Sequence, residues 1–153
     1  MITITQDKIE SEESRELVAE HLSGMTANSP PGHVHALALD ALRAPGVSFW
    51  TASIDGVLCG CGALKELHPA AGEIKSMRTR SAFLKRGVAQ ALLDTIIRTS
   101  LERGYEALFL ETGSGENFEA AHRLYTRNGF RFCGPFGDYR STDFNVFMTR
   151  ALV

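Results

Sequence analysis

Cysteine is scarce: Cys59, Cys61 and Cys133 are too few, and odd in number, for a disulfide framework. They read as reduced core thiols. The Cys59-Gly-Cys61 spacing is too short for a zinc knuckle and no second pair follows, so no metal site is expected. On a regular strand both thiols would point to one face. An excess of one charge is also missing, with 16 basic residues against 18 acidic ones and a formal net charge of −2. Nucleic-acid binders usually carry a basic surplus, so no nucleic-acid partner is expected. No apolar run is long enough to cross a bilayer, and no basic start leads into an apolar leader. The expectation is a cytoplasmic protein without a membrane partner. Repeats and low-complexity tracts are absent too.

What is present suits one ordinary globular domain spanning residues 1–153. Hydrophobic residues make up 44% and charged residues 22% of 153 positions, enough to bury a core without covalent staples.

The chain reads as alternating strands and helices. Ile2 to Thr5 form a short strand. Asp7, with Glu10 three residues on, is the expected cap of a helix running to about His21. Ser29-Pro-Pro-Gly32 breaks the chain, and a second helix carries Val34, Leu37, Ala38, Ala41 and Leu42 on one face until Pro45-Gly46. A meander follows: Val47 to Ile54, the Asp55-Gly56 hairpin turn, Val57 to Leu67, another turn, then Glu73 to Thr79. Gly87 to Arg103 is the strongest helix. Val88, Leu92 and Ile96 form one apolar row, Ala89, Leu93, Ile97 and Leu101 the next, and Gly104 is the stop. Ala107 to Glu111 is a buried strand, and Phe118 to Asn128 an amphipathic helix. Phe130 to Cys133 and Phe144 to Leu152 close the sheet. Strand–helix–strand around Gly87 to Leu110 implies a locally parallel pair, the earlier hairpin-linked strands are antiparallel, and the sum is a mixed sheet in an α/β or α+β domain.

The segment with chemistry is Met77-Arg-Thr-Arg-Ser-Ala-Phe-Leu-Lys-Arg-Gly-Val-Ala89. A strand ends, a basic loop turns, and a helix opens at Gly87. Unpaired N–H groups at a helix start attract anions, and a pyrophosphate fits there. Gly87 permits close approach, and Arg80, Lys85 and Arg86 can add charge. Taken alone, a solvated basic surface and an ordinary glycine turn explain the same residues better than a phosphate site does. The loop is not a P-loop, because Gly-Lys-Ser/Thr is missing, and not a dinucleotide fingerprint, because two glycines are missing. A nucleotide-binding protein is therefore disfavoured.

Arg86-Gly87-Val88-Ala89, followed by Leu92-Leu93, resembles motif A of the GNAT acetyltransferases, Gln/Arg-x-x-Gly-x-Gly/Ala. Gly87 and Ala89 fit its last two fixed positions, while Leu84 departs from the first. Leu124-Tyr125-x-x-x-Gly129-Phe130 is similar to the family's second motif. Phe118 stands where an asparagine is usual, with Asn117 beside it. Gly72 to Met77, Leu110 to Ser114, Cys133-Gly-Pro-Phe136 with Tyr139, and Val146 to Met148 resemble a bacterial single-domain subgroup.

The resemblance implies a GNAT-type fold: a mixed, mostly antiparallel sheet of about seven strands flanked by about four helices. It implies acetyl-CoA as co-substrate and an N-acetyltransferase acting on a small-molecule or peptide amine by direct attack. The last strand mediates dimers in that family, so a homodimer is one option. Met77, Arg78 and Thr79 would pair with pantetheine, and Leu84, Lys85, Arg86, Gly87, Val88 and Ala89 would hold the pyrophosphate. Leu108 to Thr112 would diverge from the Glu73 strand to admit the thioester, whose carbonyl a backbone N–H near Met77 would polarise. Thr112, Asn117, Phe118 and Ala121 fall on the cofactor side. Tyr125 takes the place of the acid that protonates the leaving thiolate; as a residue type it could equally be a core tyrosine.

For the base, Glu73 is the first candidate, acting directly or through water. Glu73, Lys75 and Met77 alternate and would share a face. Glu73 could instead be a turn-flanking surface carboxylate or simply pair with Lys75. Glu111 is the second candidate. His33, Glu111 and Ser114 are assigned to the acceptor side. His33 and His35 cannot share a helix face, which argues against a joint metal site. Phe136, Tyr139 and Phe147 fit either a pocket wall or a core. An alternative from another class is a coenzyme-A-binding regulatory module that kept the fold and lost turnover.

Overall fold

The computed structural model describes residues 1–28 and 39–152, with side chains described outside 22–40. Seven strands form one sheet: β1 (Ile2–Gln6), β2 (Val47–Ile54), β3 (Val57–His68), β4 (Ala71–Thr79), β5 (Ala107–Thr112), β6 (Arg131–Cys133) and β7 (Val146–Ala151). Their order across the sheet is β1-β2-β3-β4-β5-β7-β6. Among the described residues only β4 and β5 pair in parallel, as the intervening helical crossover requires. Between β2 and β3, Asp55 and Gly56 have φ of 52° and 82°, the two left-handed residues of a tight hairpin whose twist matches its strands.

Helices α1 (Glu12–Asn28), α3 (Val88–Glu102) and α4 (Glu119–Arg127) flank the sheet; α2 (Leu39–Leu42) is a single turn. About four helices were expected, and three of two turns or more are present among the described residues. The remainder of the expected second helix, with Val34 and Leu37, lies outside the described residues. The cap of α1 also differs from expectation. Ser11 precedes the first helical residue, and its Oγ accepts the Ser14 N–H at 3.1 Å. Asp7 instead accepts the Ile9 N–H and the Ser14 hydroxyl, both at 2.6 Å, and so fixes the approach to the helix.

Each face of the sheet buries its own cluster. On one face α3 presents Leu92, Leu93 and Ile96, all fully buried, to Ala52, Leu64, Ile74 and Leu108. On the other face Leu17 and Val18 of α1 pack on Phe49, Cys61 and Ala63. Gly60 lets α3 approach: a Cβ there would lie 2.8 Å from both the Arg78 carbonyl oxygen and Val88 Cγ1. Backbone cannot give way as a side-chain tip can. Gly60→Ala is expected to destabilise the fold by roughly 1–3 kcal/mol through overpacking, read from a shifted urea midpoint at unchanged slope.

Two bulges decide which side chains share a face. At the first, Ala52 pairs with Gly60 and Ser53 with Leu58, leaving Cys59 as the extra residue. Cys59 and Cys61 therefore pack into opposite clusters rather than on one face. Burial pushes the Cys61 thiol up to about 12, so it stays protonated. At the second, Cys61 pairs with Arg78 and Ala63 with Lys75, so two steps on β3 face three on β4. Ser76 absorbs the difference at φ 55°. Residues opposite one another share a face, so Lys75 and Arg78 lie on the α1 side. Met77 is turned to the α3 side, where its Sδ lies against Gly62. The expected common face of Glu73, Lys75 and Met77 is broken by the bulge.

Candidate active site

Strands β4 and β5 pair only from Ala71 with Ala107 to Ile74 with Leu110. Beyond that point β5 stays with β7 to Thr112, while β4 continues to Thr79 held by β3 alone. The strands part, as the resemblance led one to expect, and among the described residues the β4 edge from Lys75 to Thr79 has no strand partner on its β5 side. A cleft of about 670 Å³ fills the gap. Its walls come from β4, β5, the start of α3, and α4.

The loop into α3 closes one end of the cleft. Lys85 and Gly87 both have left-handed backbones, φ 63° and 86°. Gly87 is the N-cap, and the first helical bond runs from the Ala91 N–H to the Gly87 carbonyl, 3.0 Å. The N–H groups from Lys85 to Gln90 find no acceptor among the described residues. Alternating left- and right-handed residues turn successive N–H groups into one concavity that suits an anion. Lys85 is not glycine, so its left-handed backbone is strained, a feature that gathers at ligand sites.

Most residues expected to hold the cofactor line this cleft: Met77, Arg78, Thr79, Leu84, Lys85, Gly87, Val88, Ala89, Thr112, Asn117, Phe118 and Ala121. Arg86 does not line it; its guanidinium lies over the Phe83 ring, 5.4 Å from the centroid. Arg80 is also diverted. It pairs with Glu20 at 2.5 Å and donates to the Leu58 carbonyl at 2.9 Å, so it is not free for a phosphate. Arg123 and Arg127 of α4 line the cleft instead. Their only signal in the sequence is a spacing of four, two residues either side of Tyr125, which sets them one above the other on α4.

Tyr125 lies on the cleft wall, 5% exposed, with its ring edge-on to Phe130 at 5.5 Å. Burial raises its phenol above the usual range, which keeps the proton on oxygen. The hydroxyl makes no hydrogen bond among the described residues.

The two carboxylate candidates differ in placement. Glu73 is 3% exposed and stands behind the cleft wall. Its Oε2 accepts from Tyr139 Oη at 2.6 Å and from Lys75 Nζ at 3.2 Å, and Lys75 also reaches Tyr139 Oη at 3.2 Å. Two donors satisfy a buried charge, the pairing that burial demands. Burial, with Glu73 accepting its proton, drives the Tyr139 phenol well above its usual range. Glu111 lines the cleft and accepts from Asn145 Nδ2 at 3.1 Å. Phe136 packs edge-on against Tyr139 and Phe147, which tilt against each other, and none of the three lines the cleft. Ser114 lies off the cleft, its hydroxyl donating to the Phe144 carbonyl at 2.8 Å. His33 lies outside the described residues. Among the described residues, no three His, Cys, Asp or Glu side chains gather as metal ligands would.

His21 is a wall residue that sequence reasoning missed, because its pattern on α1 is that of a core position. Burial, and then the Arg78 charge, lower its imidazole to about 4. It is neutral in the fold and titrates near its ordinary value of 6.5 once unfolded. Protons below pH 6.5 therefore favour the unfolded chain. Stability is expected to fall by on the order of 3 kcal/mol from pH 6.5 to pH 4 through this group, and no further below. A His21→Gln variant should flatten that slope in urea titrations across the range.

No helix among the described residues is long and apolar enough to cross a membrane. The profile of the Acetyltransferase (GNAT) family matches residues 11–130. An uncharacterized N-acetyltransferase of Bacillus subtilis (strain 168), YsnE, is 52% identical over 136 residues, 89% of this chain and 90% of that protein. Another from Escherichia coli (strain K12), YedL, is 43% identical over 152 residues, 99% of this chain and 96% of that one. A GNAT-family acetyltransferase structure from Staphylococcus aureus Mu50 superposes with a TM-score of 0.80 at 21% identity, covering 100% of both chains. An aminoglycoside 6'-N-acetyltransferase complexed with coenzyme A superposes with a TM-score of 0.76 at 12% identity, covering 99% and 97%. At such identities these structures speak for the fold.

Proposed function

Because the chain belongs to the GNAT acetyltransferase family, we propose that it moves the acetyl group of acetyl-CoA to a primary amine by direct attack in a ternary complex. One observation carries this reading: a strand edge from Lys75 to Thr79, unpartnered among the described residues, leads along a cleft to six consecutive N–H groups at the α3 start that find no acceptor there. That sequence of features suits a ligand with an extended amide chain at one end and a pyrophosphate at the other. It does not suit a free nucleotide, which has nothing to pair with a strand edge.

Bound acetyl-CoA supplies an activated thioester. The chain's own residues do the rest. The edge at Met77 and Thr79 takes the pantetheine amides as an added strand. Lys85 to Gln90 hold the pyrophosphate by their N–H groups, and Lys85, Arg123 and Arg127 add charge. The cleft fixes the amine against the acyl carbon, and such positioning is the largest part of the gain. Glu111, on the cleft wall, takes the amine proton directly or through water, while Glu73 holds Lys75 and Tyr139 behind it. Tyr125 gives its proton to the sulfur as the C–S bond breaks and the C–N bond forms.

The test is thiol release from acetyl-CoA by purified protein with a panel of primary amines, beside calorimetric titration of acetyl-CoA alone. Micromolar binding with amine-dependent thiol release supports transfer. Binding without release from any amine leaves a coenzyme-A-binding module. No binding by folded protein overturns the reading.

A further inference from the structure

The bulge at Ser76 places Arg78 on the α1 face, opposite the N–H concavity of α3, and yet on the cleft wall. Its Nε is buried without an acceptor, and its guanidinium makes no hydrogen bond or ion pair among the described residues. A guanidinium presents its donors in a fixed fork, and leaving the buried Nε–H of that fork without an acceptor is unfavourable. Two carboxylates of this side of the sheet already have partners, Glu73 with Lys75 and Tyr139 and Glu20 with Arg80. The Arg78 charge is nonetheless felt across the cleft, since it helps hold His21 neutral. Among the described residues, the cleft thus carries a cation that no anion pairs with.

We infer that Arg78 binds a carboxylate on the acceptor, so that the acceptor is an amino acid rather than a simple amine or polyamine. This rests on the acetyl-transfer reading and narrows its substrate. The donor set decides the chemistry. A planar fork suits a carboxylate bidentately, whereas a second ammonium would be repelled. The geometry decides the side. Arg78 and the pyrophosphate concavity lie on opposite faces of the sheet, so the guanidinium does not serve the cofactor's phosphates. Met77, one residue earlier, stays with the open edge. Adjacent residues of one strand then serve two ligands, the backbone holding the donor and the Arg78 side chain holding the acceptor.

The experiment compares free amino acids with their carboxamides, the amine being otherwise the same. Each is assayed for turnover with acetyl-CoA and for calorimetric binding to the coenzyme A complex, using wild type, Arg78→Met and Arg78→Lys. In wild type the best acid is expected to exceed its amide about 30-fold in kcat/KM, mainly through KM. Arg78→Met should abolish that preference, lowering the acid and sparing the amide, with acetyl-CoA binding within about twofold of wild type. Arg78→Lys should recover part of the preference, which a merely structural role would not predict. Acids and amides binding alike in wild type, or no member of the panel binding, overturns the inference. So does loss of acetyl-CoA binding in folded Arg78→Met, which would assign the side chain to the cofactor. Preferential binding of acids without any turnover keeps the carboxylate site and removes the transfer reading instead.

Discussion

Gly87→Asp is expected to raise the dissociation constant for acetyl-CoA by at least about 1000-fold, and Gly87→Asn by only about 10-fold. Both variants put a side chain on a backbone at φ 86°, where glycine is strongly favoured and Asn or Asp is the least strained replacement. A Cβ at this position meets nothing closer than Ile2 Cδ1 at 3.9 Å, so the fold has room for it. Strain and obstruction are therefore shared by the two variants, and the charge separates them. Two unit charges about 4 Å apart interact by roughly 4 kcal/mol at the effective dielectric of a protein surface, close to three decades in affinity. Calorimetric titration of both variants, with thermal unfolding as the control for folding, checks this. Equal loss in the two would mean that Gly87 matters by shape alone. No loss in either would move the pyrophosphate away from α3.

Tyr125→Phe is expected to lower the acetyl-transfer rate by roughly 100- to 1000-fold in single-turnover assays. Acetyl-CoA binding and stability should stay close to wild type. The substitution removes one oxygen that makes no hydrogen bond within the described fold, and it keeps the ring against Phe130. A purely structural tyrosine would therefore tolerate the change without a rate effect. Burial holds the phenol protonated, so the group is in the form needed to give a proton. The rate loss should lie in the chemical step and spare substrate KM. An undiminished single-turnover rate would return Tyr125 to the core cluster with Leu124 and Phe130 and leave protonation of sulfur to water.

The two groups differ in how far sequence alone reveals them. Gly87 is legible because glycine at the start of a strongly periodic helix, behind a basic loop, has few other reasons to be there. Tyr125 is legible only through the family motif, since a tyrosine on the buried stripe of a helix looks like any core residue. The charge partners were harder. Arg80 belongs to the same basic loop as Lys85, yet Glu20, 60 residues away on α1, takes it. Nothing local records that pairing. Glu73 and Lys75 were legible as a pair, but Tyr139, which closes the triad, lies 64 residues beyond Lys75.

What the sequence by itself determined is periodic. Helix α3, the β2–β3 hairpin, the parallel crossover and the anion-friendly turn at Gly87 follow from spacing and from residues with few allowed conformations. These are contacts within a few turns of chain, and composition encodes them directly. What only the tertiary structure decided is facing. A bulge inserts one residue into a ladder, and neither Cys59 nor Ser76 differs in composition from an ordinary strand residue. Since side chains alternate, that single insertion sends Met77 to one face and Arg78 to the other. On the proposed reading, the division between donor side and acceptor side of the cleft follows from this register shift between β3 and β4. Such a shift is stabilised by packing on both faces of the sheet at once, and no stretch of the sequence carries it alone.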